Sequence, residues 1–403
     1  MRWGRAVLAL AGVVVVATAC GSFGSDDAAA VQPGSEGGTD APAGDEAGGN
    51  DGGDGGDAGS CVPEVDLSAS CQANRLRCSP AEGCEHDALL DKNNCGVCGR
   101  ICEKECMNGT CTPLTLDDKH VSSAIDRAVF ADSAHAYWIT DATAWQVPLD
   151  GGGTVGQGTS IAGQDGFIDF VQDDDTFFLL TPGYLGRSPL GGTPEPIAES
   201  LSANASGRVA TDKNHVYFTE GRDTGLVGSV RKDGDGGLVP LATGQHRPSF
   251  LVARKEGVVF VNQANASPAT NGAILFVPDG QAGSPLEKIP GLPRVGALAI
   301  DGDTGFYSLA DRGEIWSFDF TTFKPSLVVG GLGEVNHLAV DATHFYFTGK
   351  PTGTSPLGIY RMARCGHKTN LVIQDTGGVP TGLVLHDTYV YWAAAGAFFR
   401  TSK

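Results

Sequence analysis

Apolar and polar positions along this chain recur as one phrase, seven times between Phe130 and Trp392. A run of small apolar residues leads to an acid or turn residue, and an aromatic-rich run follows. VFADSAHAYW (129–138), VATDKNHVYF (209–218), LAVDATHFYF (338–347) and LVLHDTYVYW (383–392) are the clearest copies, and weaker ones carry Phe178, Phe260 and Tyr307. The aromatics Tyr137, Phe178, Tyr217, Phe260, Tyr307, Tyr346 and Tyr391 stand about 42 residues apart on average, the period of a four-stranded propeller blade. The first run of each copy is small and apolar (ALAI 297–300, HLAV 337–340), as an inner strand beside a crowded axis requires. The second alternates aromatics (HVYFTE 215–220, HFYFTG 344–349), and Gly-rich turns such as VRKDGDGG 230–237 separate the third strand from the fourth. No 3.6-residue period interrupts the pattern, so an all-β, seven-bladed β-propeller is expected over 112–403.

The seventh copy ends at VYWAAAGAFFRTSK without a fourth strand, whereas TPLTLDD (112–118) before the first copy is a strand without a blade. The simplest arrangement makes 112–118 the outer strand of the seventh blade, so that the ring joins its own ends and leaves no open edge.

The other segments differ in composition. Residues 1–19 carry Arg2 and Arg5 before an apolar run from Ala6 to Ala19, which reads as an export signal. At 14 residues the run is short of the roughly 20 that cross a bilayer as a helix. Ala17-Thr18-Ala19-Cys20 resembles a bacterial lipobox, which implies a lipid on Cys20. Ordinary signal peptidase cleavage leaving a free Cys20 thiol is the alternative. Residues 20–60 form a Gly-rich acidic tether with nine acids and no Lys or Arg, too polar to bury a core. Such a coil spans roughly 35 Å between its ends. The net charge of −19 excludes nucleic acid and anionic lipid as natural partners.

Nine of the eleven cysteines (Cys61, Cys71, Cys78, Cys84, Cys95, Cys98, Cys102, Cys106 and Cys111) fall in 61–111. In an exported chain this density means disulfides before metal, each worth about 2–4 kcal/mol to a module too small for a large core. Zinc on the Cys95-x-x-Cys98 pair is a weaker reading, since it needs reduced thiols. Nine is odd, so one module cysteine reaches outside, and Cys365 is expected to bridge to the region near Cys111. The NCGVCGRIC and CMNGTC runs resemble a cysteine-rich module of myxobacterial surface proteins and, more distantly, the stigma-specific proteins of plants. YWITD (137–141), VYFTE and FYFTG resemble a degenerate YWTD propeller repeat, as in the low-density-lipoprotein receptor family and in myxobacterial lipoproteins. Both resemblances imply architecture and location, not activity.

The repeat also sorts the polar residues. His135, His215 and His344 share one turn position in three different blades and cannot meet at one ion. Asp132, Asp173, Asp212 and Asp341 recur as turn-capping acids. Residues that break the repeat are Asp126, Arg127, Asp169, Arg208, Arg247, Arg294, Glu334, Asn336 and His337, all at the entry to inner strands, where a propeller lines one mouth of its channel. They form either a polar ligand site or a set of mutually paired charges. Asp169, Glu334 and Asn336 are conceivable ligands of a divalent ion, although their spacing does not demand one. No G-x-S-x-G, H-E-x-x-H or phosphate loop appears. The expected protein is therefore an exported, lipid-anchored monomer at the outer membrane or cell surface. It needs no cofactor or metal and acts as a non-enzymatic binding or scaffold protein for a protein or glycan. The alternative is a propeller lyase or metal-dependent lactonase working at the channel mouth.

Overall fold

Seven antiparallel four-stranded sheets follow one another along the chain in the computed structural model, which describes residues 71–403 apart from 73, 80, 82, 119–128, 141–142, 150–158, 164–165, 190–191, 205, 265–269, 280, 351–356, 366–368, 374–378 and 395–396. The export signal, the tether, Cys20, Cys61, Asp126 and Arg127 lie outside the described residues. All described residues belong to a single compact unit. None of its helices is long and apolar enough to cross a membrane.

Blade six shows how a sequence copy becomes a sheet. Val335–Val340 is the innermost strand, His344–Gly349 pairs with it, then Gly358–Ala363, then Thr369–Ile373 at the rim. The second strand is buried at every position after His344, because its alternate residues face the two neighbouring blades. The repeated aromatics are therefore the joints between blades. Tyr137 of blade one meets Phe177 of blade two at 5.3 Å, and Phe306 of blade five meets Phe345 of blade six edge-on at 5.1 Å. Glycines appear where these rings need room: a Cβ on Gly305 would fall 2.3 Å from the Phe318 ring.

The ring closes as the truncated seventh copy predicts. The last sheet runs Val384–His386, Tyr389–Ala394, Ala397–Ser402 and then Leu114–Asp117, with Phe398 opposite Asp117 and Arg400 opposite Leu114. Leu116 is buried in one cluster with Phe398 and with Trp138 of blade one. Trp138 stacks on Phe398 at 4.9 Å, which seals the join between the first blade and the last.

The cysteine module carries two two-residue hairpins, Arg75–Leu76 with His86–Asp87 and Cys106–Met107 with Thr110–Cys111. Among the described residues, four disulfides hold it: Cys71–Cys84, Cys78–Cys98, Cys95–Cys106 and Cys102–Cys111. This pairing corrects two expectations. Cys95 and Cys98 belong to different bridges, which removes the zinc reading of that pair. Cys102, Cys106 and Cys111 are all used within the module, so Cys365 does not bridge to that region. Cys365 is nevertheless disulfide-bonded, to none of these eight.

The module is stitched to the ring through the last strand. Arg400 grips Glu103 with Nε at 3.0 Å and Nη2 at 2.6 Å, and the Ser402 hydroxyl donates to the Ile101 carbonyl. Arg100 reaches further, donating Nε to the main-chain oxygen of Lys403 and Nη1 to the Leu371 carbonyl.

Candidate functional site

Asp169, Arg208 and His337 occupy equivalent positions in blades two, three and six. Asp169 and Arg208 head their inner strands and His337 is the third residue of its own, and each faces the end of the second strand, opposite Leu180, Thr219 and Thr348 respectively. Blade five places Ala297 opposite Ser308 at the same point. Where the repeat supplies a small residue, these three blades therefore supply a carboxylate, a guanidinium and an imidazole.

All three are buried, not open at the mouth. Burial pushes the Asp169 carboxyl up to about 6, against the Arg208 charge and the Val209 amide, which donates to Asp169 Oδ2 at 2.9 Å. The Arg208 Nη1 donates to the Gly207 carbonyl at 2.6 Å. The His337 ring shares a 2.7 Å hydrogen bond with the Thr348 hydroxyl through Nδ1. Burial first, and then the Arg208 charge, push its pKa down to about 4, so at neutral pH the imidazole is neutral. Its Nε2 has no partner among the described residues. The influence of Arg208 on groups in blades two and six joins the three into one electrostatic cluster.

The remaining sequence candidates lie nearer the rim. Arg294 places Nη2 3.3 Å from Asp311 and 3.6 Å from Glu334, so it bridges blades five and six. Asp311 and Glu334 line a small cleft of about 300 Å³. Gly313 at its base has φ +61°, and a Cβ there would fall 1.5 Å from the Leu332 carbonyl. Arg247 also takes a left-handed φ, +45°, and is half-buried, while Asn336 is half-buried and Glu334 exposed. The structure thus separates a buried trio from an exposed rim. Asp169, Glu334 and Asn336 belong to different parts of this arrangement. Among the described residues, the one group of three His, Cys, Asp or Glu side chains close enough to share an ion is Cys95, Cys102 and Cys111, whose sulfurs are all in disulfides.

Sequence reasoning missed Asp311 and Gln263. Gln263 donates Nε2 to Ser249 Oγ at 3.1 Å and to the Val295 carbonyl at 3.0 Å, tying blade four to blade five. Asp311 had a signal, since ADRGE (310–314) is a charged hairpin on the mouth side of the ring.

No family model matches the chain, and no curated protein matches it. Solved structures match the ring. The chain is similar to virginiamycin B lyase from Staphylococcus aureus, at 12% identity and TM-score 0.56, covering 72% of this chain and 98% of that one. A catalytically inactive His-to-Ala variant of that lyase with quinupristin gives 13% and 0.55, over 72% and 98%. The AfRom2 CNH domain gives 9% and 0.51, over 72% and 99%. At these identities the shared property is the propeller fold.

Proposed function

We propose that this protein is an exported propeller, held to a membrane by a lipid on Cys20, that serves as a non-enzymatic binding or scaffold module at the outer membrane or cell surface. Its partner in this reading is a protein or a glycan that docks across the rim of the channel mouth. The observation that carries the reading is the burial of Asp169, Arg208 and His337. A general acid or base must touch the atom it serves, and these deeply buried side chains are bonded to the Val209 amide, the Gly207 carbonyl and the Thr348 hydroxyl. The exposed rim around Arg294, Asp311 and Glu334 offers a fixed pattern of both charges, which suits recognition of a polar surface.

A second reading rests on His337. A neutral imidazole with one nitrogen tied to Thr348, the other unpartnered, and a guanidinium nearby has the features of a general base. The fold likeness to a lyase with an inactivating histidine substitution favours considering it. Incubation with quinupristin separates the two. Unchanged substrate supports the binding module, whereas turnover lost in His337→Gln establishes the lyase. The anchor has its own test: Cys20→Ser should move the protein from the membrane to the soluble fraction, and a variant that stays with membranes would overturn the lipid on Cys20.

A further inference from the structure

Of the chain's eleven cysteines, eight pair with one another inside the module, and Cys365 is disulfide-bonded to none of those eight. Cys20 and Cys61 are the two that remain. The partner of Cys365 is one of them, and its place in the ring bears on the choice.

Cys365 is half-buried in the turn between the third and fourth strands of blade six. That turn lies beside the first hairpin of the same blade. The Arg364 amide donates to the Thr343 carbonyl at 2.9 Å, and Arg364 Nη1 donates to the Asp341 carbonyl at 3.2 Å. The other end of the blade carries His337 opposite Thr348. Cys365 therefore sits on the face of the ring opposite the channel mouth. The module occupies the same face. In a cleft of about 590 Å³, Arg100 and Glu103 of the module meet Asp341, His344 and Arg361 of blade six and Asp387 of blade seven. Arg100 also bonds to the Leu371 carbonyl in the outer strand that follows the Cys365 turn.

Reach and entropy both favour Cys61. It stands 10 residues before Cys71, which Cys84 fixes to the module, whereas Cys20 stands 51 before it. Ten residues span at most roughly 35 Å, more than the roughly 25 Å breadth of a module this small. Closing the longer loop is about tenfold less favourable, from the three-halves power of the length ratio. A lipid on Cys20 would also occupy its sulfur, and to that extent the choice rests on the proposed anchor.

We infer that Cys365 is bonded to Cys61, so that the base of the tether is stapled to the ring on the face opposite the mouth. The two thiols give up two protons and two electrons as the bond forms. By thiol–disulfide exchange these pass to the disulfide of an oxidised dithiol oxidoreductase, as for the four module bridges. Tether and module then share one face, and the rim of Arg294, Asp311 and Glu334 is left open to a partner on the other.

Non-reducing peptide mapping of the whole protein should give a Cys61–Cys365 linked peptide, in the parent and in Cys20→Ser alike. Thiols alkylated in denaturant should rise by one in Cys61→Ser and by one in Cys365→Ser, and return to the parent count in the double variant. The two single variants should melt equally far below the parent, and the double variant no lower, because all three lack the same bond. A Cys20–Cys365 peptide would overturn both this bond and the lipid on Cys20. A Cys61–Cys365 peptide beside an unmodified Cys20 would uphold the bond and overturn the lipid alone. A free Cys365 thiol in the parent, or an unchanged thiol count in Cys61→Ser, would overturn the staple.

Discussion

The Tyr217 hydroxyl donates to Asp212 Oδ2 across 2.6 Å, while Oδ1 of the same carboxylate accepts the Asn214 and His215 amides at 2.7 Å. Tyr137 repeats the bond with Asp132 at 2.8 Å. One acid therefore caps the first hairpin of its blade and fixes the aromatic that joins that blade to the next. The turn-capping reading holds for Asp132, Asp212 and Asp341, whereas the Asp173 carboxylate pairs with Lys232 of blade three, and the tyrosine bond explains why the aromatic carries a hydroxyl in blades one and three.

Tyr217→Phe should cost about 1–2 kcal/mol in denaturant unfolding, and Asp212→Ala more, since it also frees two amides. The double variant should lose less than the sum of the two. Full additivity would mean that the hydroxyl and the carboxylate act independently.

Acid should weaken these caps. Burial alone would raise the carboxyls of Asp132, Asp212 and Asp341, but their hydrogen bonds outweigh it and hold all three below the ordinary range. A depressed folded value means stabilisation that is complete above the unfolded value of about 4 and is lost as pH falls through the lower folded values. The protein should thus lose stability steeply below about pH 4. Asp212→Asn should flatten that loss, and an unchanged acid limb would sink the assignment.

Asp169 and His337 should oppose each other in a higher window. Asp169 titrates near 6 when folded and near ~4 when unfolded, so its contribution falls as pH rises through that interval. His337 titrates near 4 when folded and near ~6.5 when unfolded, so its contribution grows with pH over nearly the same interval. Asp169→Asn should leave a stability that rises from pH 4 to 6.5, and His337→Gln one that falls from pH 4 to 6. Denaturant midpoints measured across pH would refute the cluster if both variants kept the parent's slope.

Closure of the ring predicts a contrast between two outer-strand leucines. Leu116 is buried at the join, whereas Leu327 in the outer strand of blade five is 51% exposed. Leu116→Ala should cost about 2–5 kcal/mol and Leu327→Ala less than about 1. Deletion of 112–118 should unfold the ring as a whole and expose two sheet edges to aggregation. A deletion variant with the parent's melting temperature would mean that the seventh blade closes in some other way.

Non-reducing peptide mapping should recover Cys71–Cys84, Cys78–Cys98, Cys95–Cys106 and Cys102–Cys111, with Cys365 linked to none of these eight. A peptide joining Cys365 to Cys102, Cys106 or Cys111 would contradict the module's pairing.

The fold was legible because a propeller is built from local pairings. Each blade pairs strands adjacent in sequence, so a period of about 42 residues with one aromatic per copy announces the architecture. Even the closing strand could be counted, because one copy lacked a strand and one strand lacked a copy. Repeat logic also picked out Asp169, Arg208 and His337 as departures from the pattern. What it could not supply was depth. Whether a polar residue at the head of an inner strand opens onto the mouth or is buried depends on how all seven blades converge on the axis, and that put these three inside and left Arg294 and Glu334 at the rim. Disulfide partners were equally hidden, since nine closely spaced cysteines permit many pairings and only the folded module selects one. Arg100 and Arg361 belong to segments with no shared pattern. Their place on one cleft was decided by how the module packs against blades six and seven.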